Sequence, residues 1–189
     1  MKLDVVTYGD PVLRRKAEPV TVFDDALRGL AMDMARAMRA ANGVGLAAEQ
    51  VGKTCALCVI DVPPQSDVEE EGGPRLNPGV AMPLVLVNPR ITDKQGEMRG
   101  DEGCLSFPAL YGPVTRAFEV TVAFQDLSGI ARRLTVRGLL SRAVQHELDH
   151  LRGVLLIDHF SAPRKLSMAL ALKRLKKQTL EKKRQAPAG

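Results

Sequence analysis

Residue types that define several protein classes are scarce in this chain of 189 residues. It has three cysteines, too few for a disulfide framework, which favours a reducing compartment. No apolar run approaches the roughly 20 residues that a membrane-spanning helix needs. The first residues also lack the basic and apolar regions of a secretory signal. We therefore expect a cytoplasmic protein with no membrane or DNA partner, and the length favours one main domain.

Histidine is equally scarce, and two of the three histidines lie in one pentapeptide. His146-Glu147-Leu148-Asp149-His150 is an H-E-x-x-H pattern inside a segment, 139–151, whose apolar spacing predicts a helix that Gly153 ends. Residues four apart share one face of a helix, so both imidazoles could bind one metal ion beside a glutamate that moves a proton. The alternative is a salt-bridged surface helix.

A catalytic metal site of this kind needs a third protein ligand. Downstream, Leu156 stands where one class of zinc proteases has its third histidine, and the only glutamate is Glu181 in a highly charged tail. Asp158 and His159 are weak candidates. The third ligand is therefore expected upstream of the helix.

The upstream candidates are the three cysteines. Cys55 and Cys58 lie in an apolar run that predicts a buried strand, where residues three apart point to opposite faces. We interpret these two as small core residues. Cys104 differs because it follows a glycine, which permits unusual backbone geometry, in the segment Glu102–Ser106.

Three segments of the chain together resemble the motifs of the peptide deformylase family. They are Gly43–Gln50 (GVGLAAEQ), Glu102–Ser106 (EGCLS) and Gln145–Leu151 (QHELDHL), in the family's order. Members remove the N-formyl group from the initiator methionine of nascent chains. The resemblance extends to about Phe160 and is closest to bacterial members that carry a basic C-terminal helix.

The resemblance implies roles for particular residues. Its metal ligands would be Cys104, His146 and His150, holding one divalent ion, with Fe(II) expected as the native metal and Zn(II), Ni(II) or Co(II) as alternatives. Glu147 would be the general base. The side-chain amide of Gln50 and the backbone N–H of Leu105 would stabilise the oxyanion.

Substrate contacts are implied in the same way. The loop residues Val44 and Gly45 would contact the peptide, and Leu139 and Ala143 would line the methionine pocket together with Val44. The chain departs from the family at Tyr111, where many members have an arginine that orients the substrate backbone. Tyrosine cannot supply a bidentate, charge-assisted bond, so we expect altered peptide preference.

Two segments outside the motifs have unusual compositions. Residues 62–80 are rich in proline, glycine and acidic residues and predict a flexible surface loop. Residues 164–189 contain nine Lys/Arg and one acid and begin with apolar residues at helical spacing. We therefore divide the chain into a catalytic domain, 1–163, and a basic C-terminal helix and tail, 164–189. The resemblance implies that this tail docks on the large ribosomal subunit near the exit tunnel.

The remaining patterns predict the fold class. An N-terminal helix with a capping box from Thr21 to Asp24 is followed by strands at 84–87, 119–126 and 131–136. We expect an α+β protein in which mostly antiparallel sheets pack around a central H-E-x-x-H helix, with helices at both ends. The leading hypothesis is a deformylase; a zinc peptidase and a catalytically altered ribosome-binding protein are the alternatives.

Overall fold

A computed structural model describes residues 3–185. Its strands are β1 (Gly45–Ala47), β2 (Leu57–Ile60), β3 (Leu84–Gln95), β4 (Met98–Cys104), β5 (Phe107–Arg116), β6 (Glu119–Gln125) and β7 (Ala131–Arg137). Its α-helices are α1 (Asp25–Ala40), α2 (Gly138–Leu151), α3 (Ala162–Ser167) and α4 (Ala169–Gln185). An antiparallel sheet of five strands has the order β1-β2-β3-β6-β7, and β4 and β5 form a separate antiparallel pair. The predicted α+β architecture is confirmed.

Helix α1 begins at a different residue from the one that the sequence indicates. Asp24, not Thr21, is the N-cap, and its carboxylate accepts the backbone N–H of Leu27 at 2.9 Å. The predicted capping box is therefore wrong, because Asp24 itself satisfies an N–H of the first turn. The apolar face of α1, which includes Met34 and Met38, is buried in a core shared with β1 and β2.

Helix α2 is the central helix, as predicted. Leu140, Val144 and Leu148 are buried against side chains of the large sheet such as Ile60 and Leu86. Burial of each such side chain contributes about 1.5–3 kcal/mol, so α2 is firmly fixed relative to the sheet. Gly153, in the left-handed conformation at φ 73°, follows the C-cap and directs the chain away.

The segment 62–80 is more structured than its composition indicates. Val62, Asp67 and Asn77 are buried. Asp67 accepts hydrogen bonds from the backbone and side chain of Asn77 and from Arg75, and Asn77 in turn pairs with the backbone of Arg137. The predicted surface loop is exposed mainly at its tip, because a buried carboxylate organises its base.

The C-terminal segment is helical, but it is interrupted at Met168. Met168, Leu172 and Leu175 pack against a cluster that includes Phe107 and Phe160. Leu166 and Leu170, predicted to belong to the same apolar face, point outward with exposures of 78% and 72%. Residues 186–189 of the predicted tail lie outside the described residues.

Within residues 3–185, none of the helices has the length and apolarity required to span a bilayer.

Candidate metal centre and substrate cleft

Helix α2 and the end of β4 bring three ligand atoms together. His146 and His150 lie one turn apart, with ring centroids 5.0 Å from each other. Strand β4 ends at Cys104 after a register irregularity at Gly103, and the Cys104 Sγ lies 3.3 Å from the His150 Nε2. The ligand atoms of all three residues are within 4.8 Å of one another. The structure therefore brings the three predicted metal ligands into one cluster.

The chemistry of this cluster fits a divalent cation. Burial raises the pKa of the Cys104 thiol, but His150 and His146 lower it to about 5, so the thiolate is the stable form. Burial lowers the pKa of His146, but the Cys104 sulfur and the Glu102 carboxylate raise it well above its usual value. Positive charge is thus stabilised at the point where one sulfur and two nitrogens converge.

Glu102 fixes which nitrogen of His146 faces the cluster. Burial raises the pKa of Glu102, but His146 and Arg116 lower it to about 2, so its carboxylate is an acceptor only. The His146 Nδ1, 3.2 Å from the Glu102 Oε2, therefore donates to it, which leaves Nε2 as the nitrogen that would give up its proton to bind a metal ion. A carboxylate that orients a ligating imidazole in this way is a common feature of metal sites.

Glu147 is buried in the wall of the same site. Its Oε2 has no hydrogen-bond partner among the described residues. Burial raises the pKa of Glu147 to about 7, and the two histidines act against this rise. A Cβ on Gly45 would collide with the Glu147 Oε1, so glycine at position 45 makes room for this carboxylate. A carboxyl group with a pKa near neutrality is suited to general acid–base chemistry.

Gln50 is held with its amide nitrogen toward the cluster. Its Oε1 accepts the backbone N–H of Ala47 at 2.8 Å, so its Nε2 must face the opposite way. That nitrogen lies 3.5 Å from the Cys104 Sγ and 3.3 Å from the Ser106 Oγ. Leu105 directly follows Cys104 in the short connection from β4 to β5. One predicted oxyanion donor therefore lies near the Cys104 sulfur, and the other directly follows Cys104 in the chain.

A cleft of about 620 Å³ opens onto the cluster. All the residues predicted to bind substrate line it: Val44, Gly45, Leu139, Ala143 and Tyr111, together with Gln50, Leu105, Cys104, His146 and Glu147. Tyr111 is in β5, with an exposure of 58%, and its ring lies so close over Gly103 that a Cβ there would collide with it. The exposed ring therefore forms part of the lining of the cleft.

A buried ionic network behind the ligands was not predicted from the sequence. The Arg116 guanidinium pairs with both oxygens of Glu102, at 2.9 and 3.0 Å, and with Asp149 at 2.6 Å. Arg142 adds a longer contact to Glu102 at 3.3 Å, and His159 pairs with Asp149 at 2.7 Å. The acidic members belong to the sequence motifs, but only the fold shows which arginines neutralise them.

Comparison with known proteins gives consistent matches across the chain. A family model described as polypeptide deformylase matches residues 2–166. A peptide deformylase of Opitutus terrae is 42% identical over 184 residues, covering 95% of each chain. The crystal structure of peptide deformylase from Thermus thermophilus matches with a TM-score of 0.81 and 38% identity, over 94% of this chain and 99% of that one. A Synechococcus elongatus peptide deformylase in complex with actinonin matches with a TM-score of 0.76 and 40% identity, over 94% and 90%.

Proposed function

The chain belongs to the polypeptide deformylase family, and we propose that Cys104, His146 and His150 hold the metal ion with which it removes the formyl group from N-formylmethionyl peptides. The convergence of a thiolate and two imidazoles beside the unpaired carboxylate of Glu147 is the observation that carries this proposal. Family membership favours this function over a zinc peptidase or an inactive ribosome-binding protein.

The proposed ion is Fe(II), with Zn(II), Ni(II) and Co(II) as compatible substitutes. A thiolate with two imidazoles is a ligand set that all four ions accept. When bound, such an ion lowers the pKa of coordinated water and polarises a carbonyl group. The thiolate ligand also favours a reducing compartment, so we place the enzyme in the cytoplasm.

Glu147 is the proposed general base and general acid. Its unpaired Oε2 accepts a proton from the attacking water and later returns that proton to the leaving amine. The base form is lost as the pH falls through neutrality, because burial holds the pKa of Glu147 near 7. We expect turnover to fall on the acidic side for that reason.

The developing oxyanion would accept hydrogen bonds from two preorganised donors. The Gln50 Nε2 is already oriented by the bond from Ala47 to its Oε1, and the Leu105 backbone N–H is the second donor. Donors that are fixed before the reaction stabilise charge without reorganising. Val44, Leu139 and Ala143 would surround the methionine side chain, and Gly45 and Tyr111 would contact the peptide.

The catalytic domain, 1–163, is proposed to be brought to nascent chains by the basic segment 164–189. The exposed lysines and arginines of α4 would bind phosphates of the large ribosomal subunit near the exit tunnel. Helix α4 is anchored by Leu172 and Leu175, so its basic face is presented in a fixed orientation.

Formate release from a formyl-methionyl peptide tests the catalytic proposal. We expect metal-dependent release in the wild type and a loss of about a thousandfold in Glu147→Gln, with one metal ion still bound per chain. Metal content, measured by elemental analysis, is the control, because a variant that has lost the ion says nothing about the base. Turnover near the wild-type rate in a metal-loaded Glu147→Gln enzyme would exclude Glu147 as the base.

A further inference from the structure

A short stretch near the N-terminus, Val6–Asp10, which turns at Tyr8 and Gly9, touches both segments that carry the proposed oxyanion donors. The Val6 N–H donates to the carbonyl of Gln50 at 2.7 Å, and the Tyr8 N–H donates to the carbonyl of Ser106 at 2.9 Å. Ser106 directly follows Leu105. We call Val6–Asp10 the N-terminal strap. One short stretch of backbone therefore spans the two loops whose donors must act on the same oxygen.

Helix α4 holds this strap from the other side. The Thr7 and Thr179 hydroxyl oxygens lie 2.6 Å apart, and Thr179 is buried, with an exposure of 8%. The Thr179 hydroxyl donates its only hydrogen to the carbonyl of Leu175 at 3.0 Å. The Thr7 hydroxyl is therefore the donor to Thr179, and loss of the Thr179 oxygen would leave Thr7 without this acceptor.

Three further contacts keep the strap between α4 and the site. The backbone at Gly9 lies directly on α4, since a Cβ there would come within 2.9 Å of the Lys176 Cα. Both carboxylate oxygens of Asp10 accept bonds from Lys183, at 3.0 and 2.9 Å. The Tyr8 ring stacks on Phe107 at 5.1 Å. These contacts place the strap between helix α4 and the residues that follow Cys104.

We propose that Thr7 and Thr179 are positioning residues, through which α4 fixes the N-terminal strap and the strap fixes the spacing of the Gln50 and Leu105 donors. The inference rests on the donor roles proposed above. Oxyanion donors act through their placement, so a small shift of either loop weakens the transition state more than the ground state. The C-terminal helix then has a catalytic consequence in addition to any docking role.

The test compares Thr179→Val with Thr179→Ser in metal-loaded enzyme. Valine keeps the shape of threonine and removes the oxygen, whereas serine keeps the oxygen. For Thr179→Val we expect kcat to fall about fivefold at an unchanged KM, because the lost interaction acts in the transition state. Amide exchange at Val6 and Tyr8 should be about fivefold faster, the effect of one lost hydrogen bond. Thr179→Ser should match the wild type in kcat and in the amide exchange rates at Val6 and Tyr8.

Two results would overturn the proposal. One is unchanged exchange at Val6 and Tyr8 in Thr179→Val, which would show that α4 does not hold the strap. The other is faster exchange with an unchanged kcat, which would show that the strap does not position the donors. A separate variant, Gln50→Ala, distinguishes failure of the donor role: a wild-type kcat there would overturn the proposed chemistry of Gln50, whatever the strap does.

Discussion

Glu102 has two roles beside the proposed metal site. It accepts from His146 and so sets the orientation of that imidazole, and it neutralises the Arg116 guanidinium, which is itself buried. Buried charges are tolerated only when they are paired and hydrogen-bonded. The same contacts that keep Glu102 ionised therefore also orient His146 toward the proposed metal site.

This double role gives a prediction for the neutral variant Glu102→Gln. An amide is a weaker acceptor for the His146 Nδ1 and leaves the Arg116 charge less compensated, so we expect metal affinity to fall about 10- to 100-fold. The measurement is competition between the protein and a chelator for Zn(II). Asp101→Asn is the matched control, because Asp101 is the adjacent acid and is exposed. Equal losses in the two variants would show that general charge, not the contact to His146, sets the affinity.

At the scale of secondary-structure elements, the sequence predicts α2 well and the β4–β5 pair poorly. Helix α2 has uninterrupted apolar spacing, and both of its predicted ligands follow from its periodicity. Strand β4, in contrast, has the sequence Met-Arg-Gly-Asp-Glu-Gly-Cys, and β5 contains two prolines and a glycine. Such composition is typical of turns. These strands exist because they pair with each other and because Glu102 is neutralised by arginines distant in sequence.

The segment 62–80 is a second region whose structure cannot be predicted from its local composition. Its composition correctly indicates an exposed tip, around Glu69–Gly73. It gives no sign that Asp67 will be buried, since that depends on Asn77 and on the backbone of Arg137, sixty residues from Asn77. Long-range pairing of a single polar residue leaves no periodic signal in a sequence.

The buried carboxylate of Asp67 leads to a stability prediction for this element. Asp67→Ala removes the acceptor for the Asn77 N–H groups and for Arg75, and we expect a loss of about 2–3 kcal/mol in the free energy of unfolding. Glu70→Ala, in the exposed tip of the same segment, should change it by less than about 0.5 kcal/mol. Denaturant titration of both variants measures the difference. Similar losses of unfolding free energy in the two variants would mean that the base of the segment contributes no more to stability than its tip.

Across the whole molecule, charge is divided unevenly between the two parts of the chain. Residues 164–189 carry nine basic residues and one acid, although the chain as a whole has a net charge of only +5. The structure also shows that α4 cannot be removed without consequence, because Leu172 and Leu175 belong to a core cluster and Thr179 contacts Thr7. Truncation after Pro163 would therefore disturb the packing of residues 3–163 as well as remove the basic surface. Surface substitutions separate the two effects.

Ribosome docking is best tested by reversing charges that form no ion pair or side-chain hydrogen bond in the described part of the chain. Lys173, Arg174 and Lys182 are exposed on α4 and form no ion pair within residues 3–185. In the triple variant K173E/R174E/K182E we expect loss of co-sedimentation with ribosomes at low salt, because contacts to RNA phosphates are electrostatic. Turnover of a short formyl-methionyl peptide should stay within about twofold of the wild type, since these three side chains make none of the strap contacts. The control is R90E/R99E/R133E, which makes the same change in charge at exposed positions of the sheets. If both variants pellet equally with ribosomes, the C-terminal helix is not the docking surface.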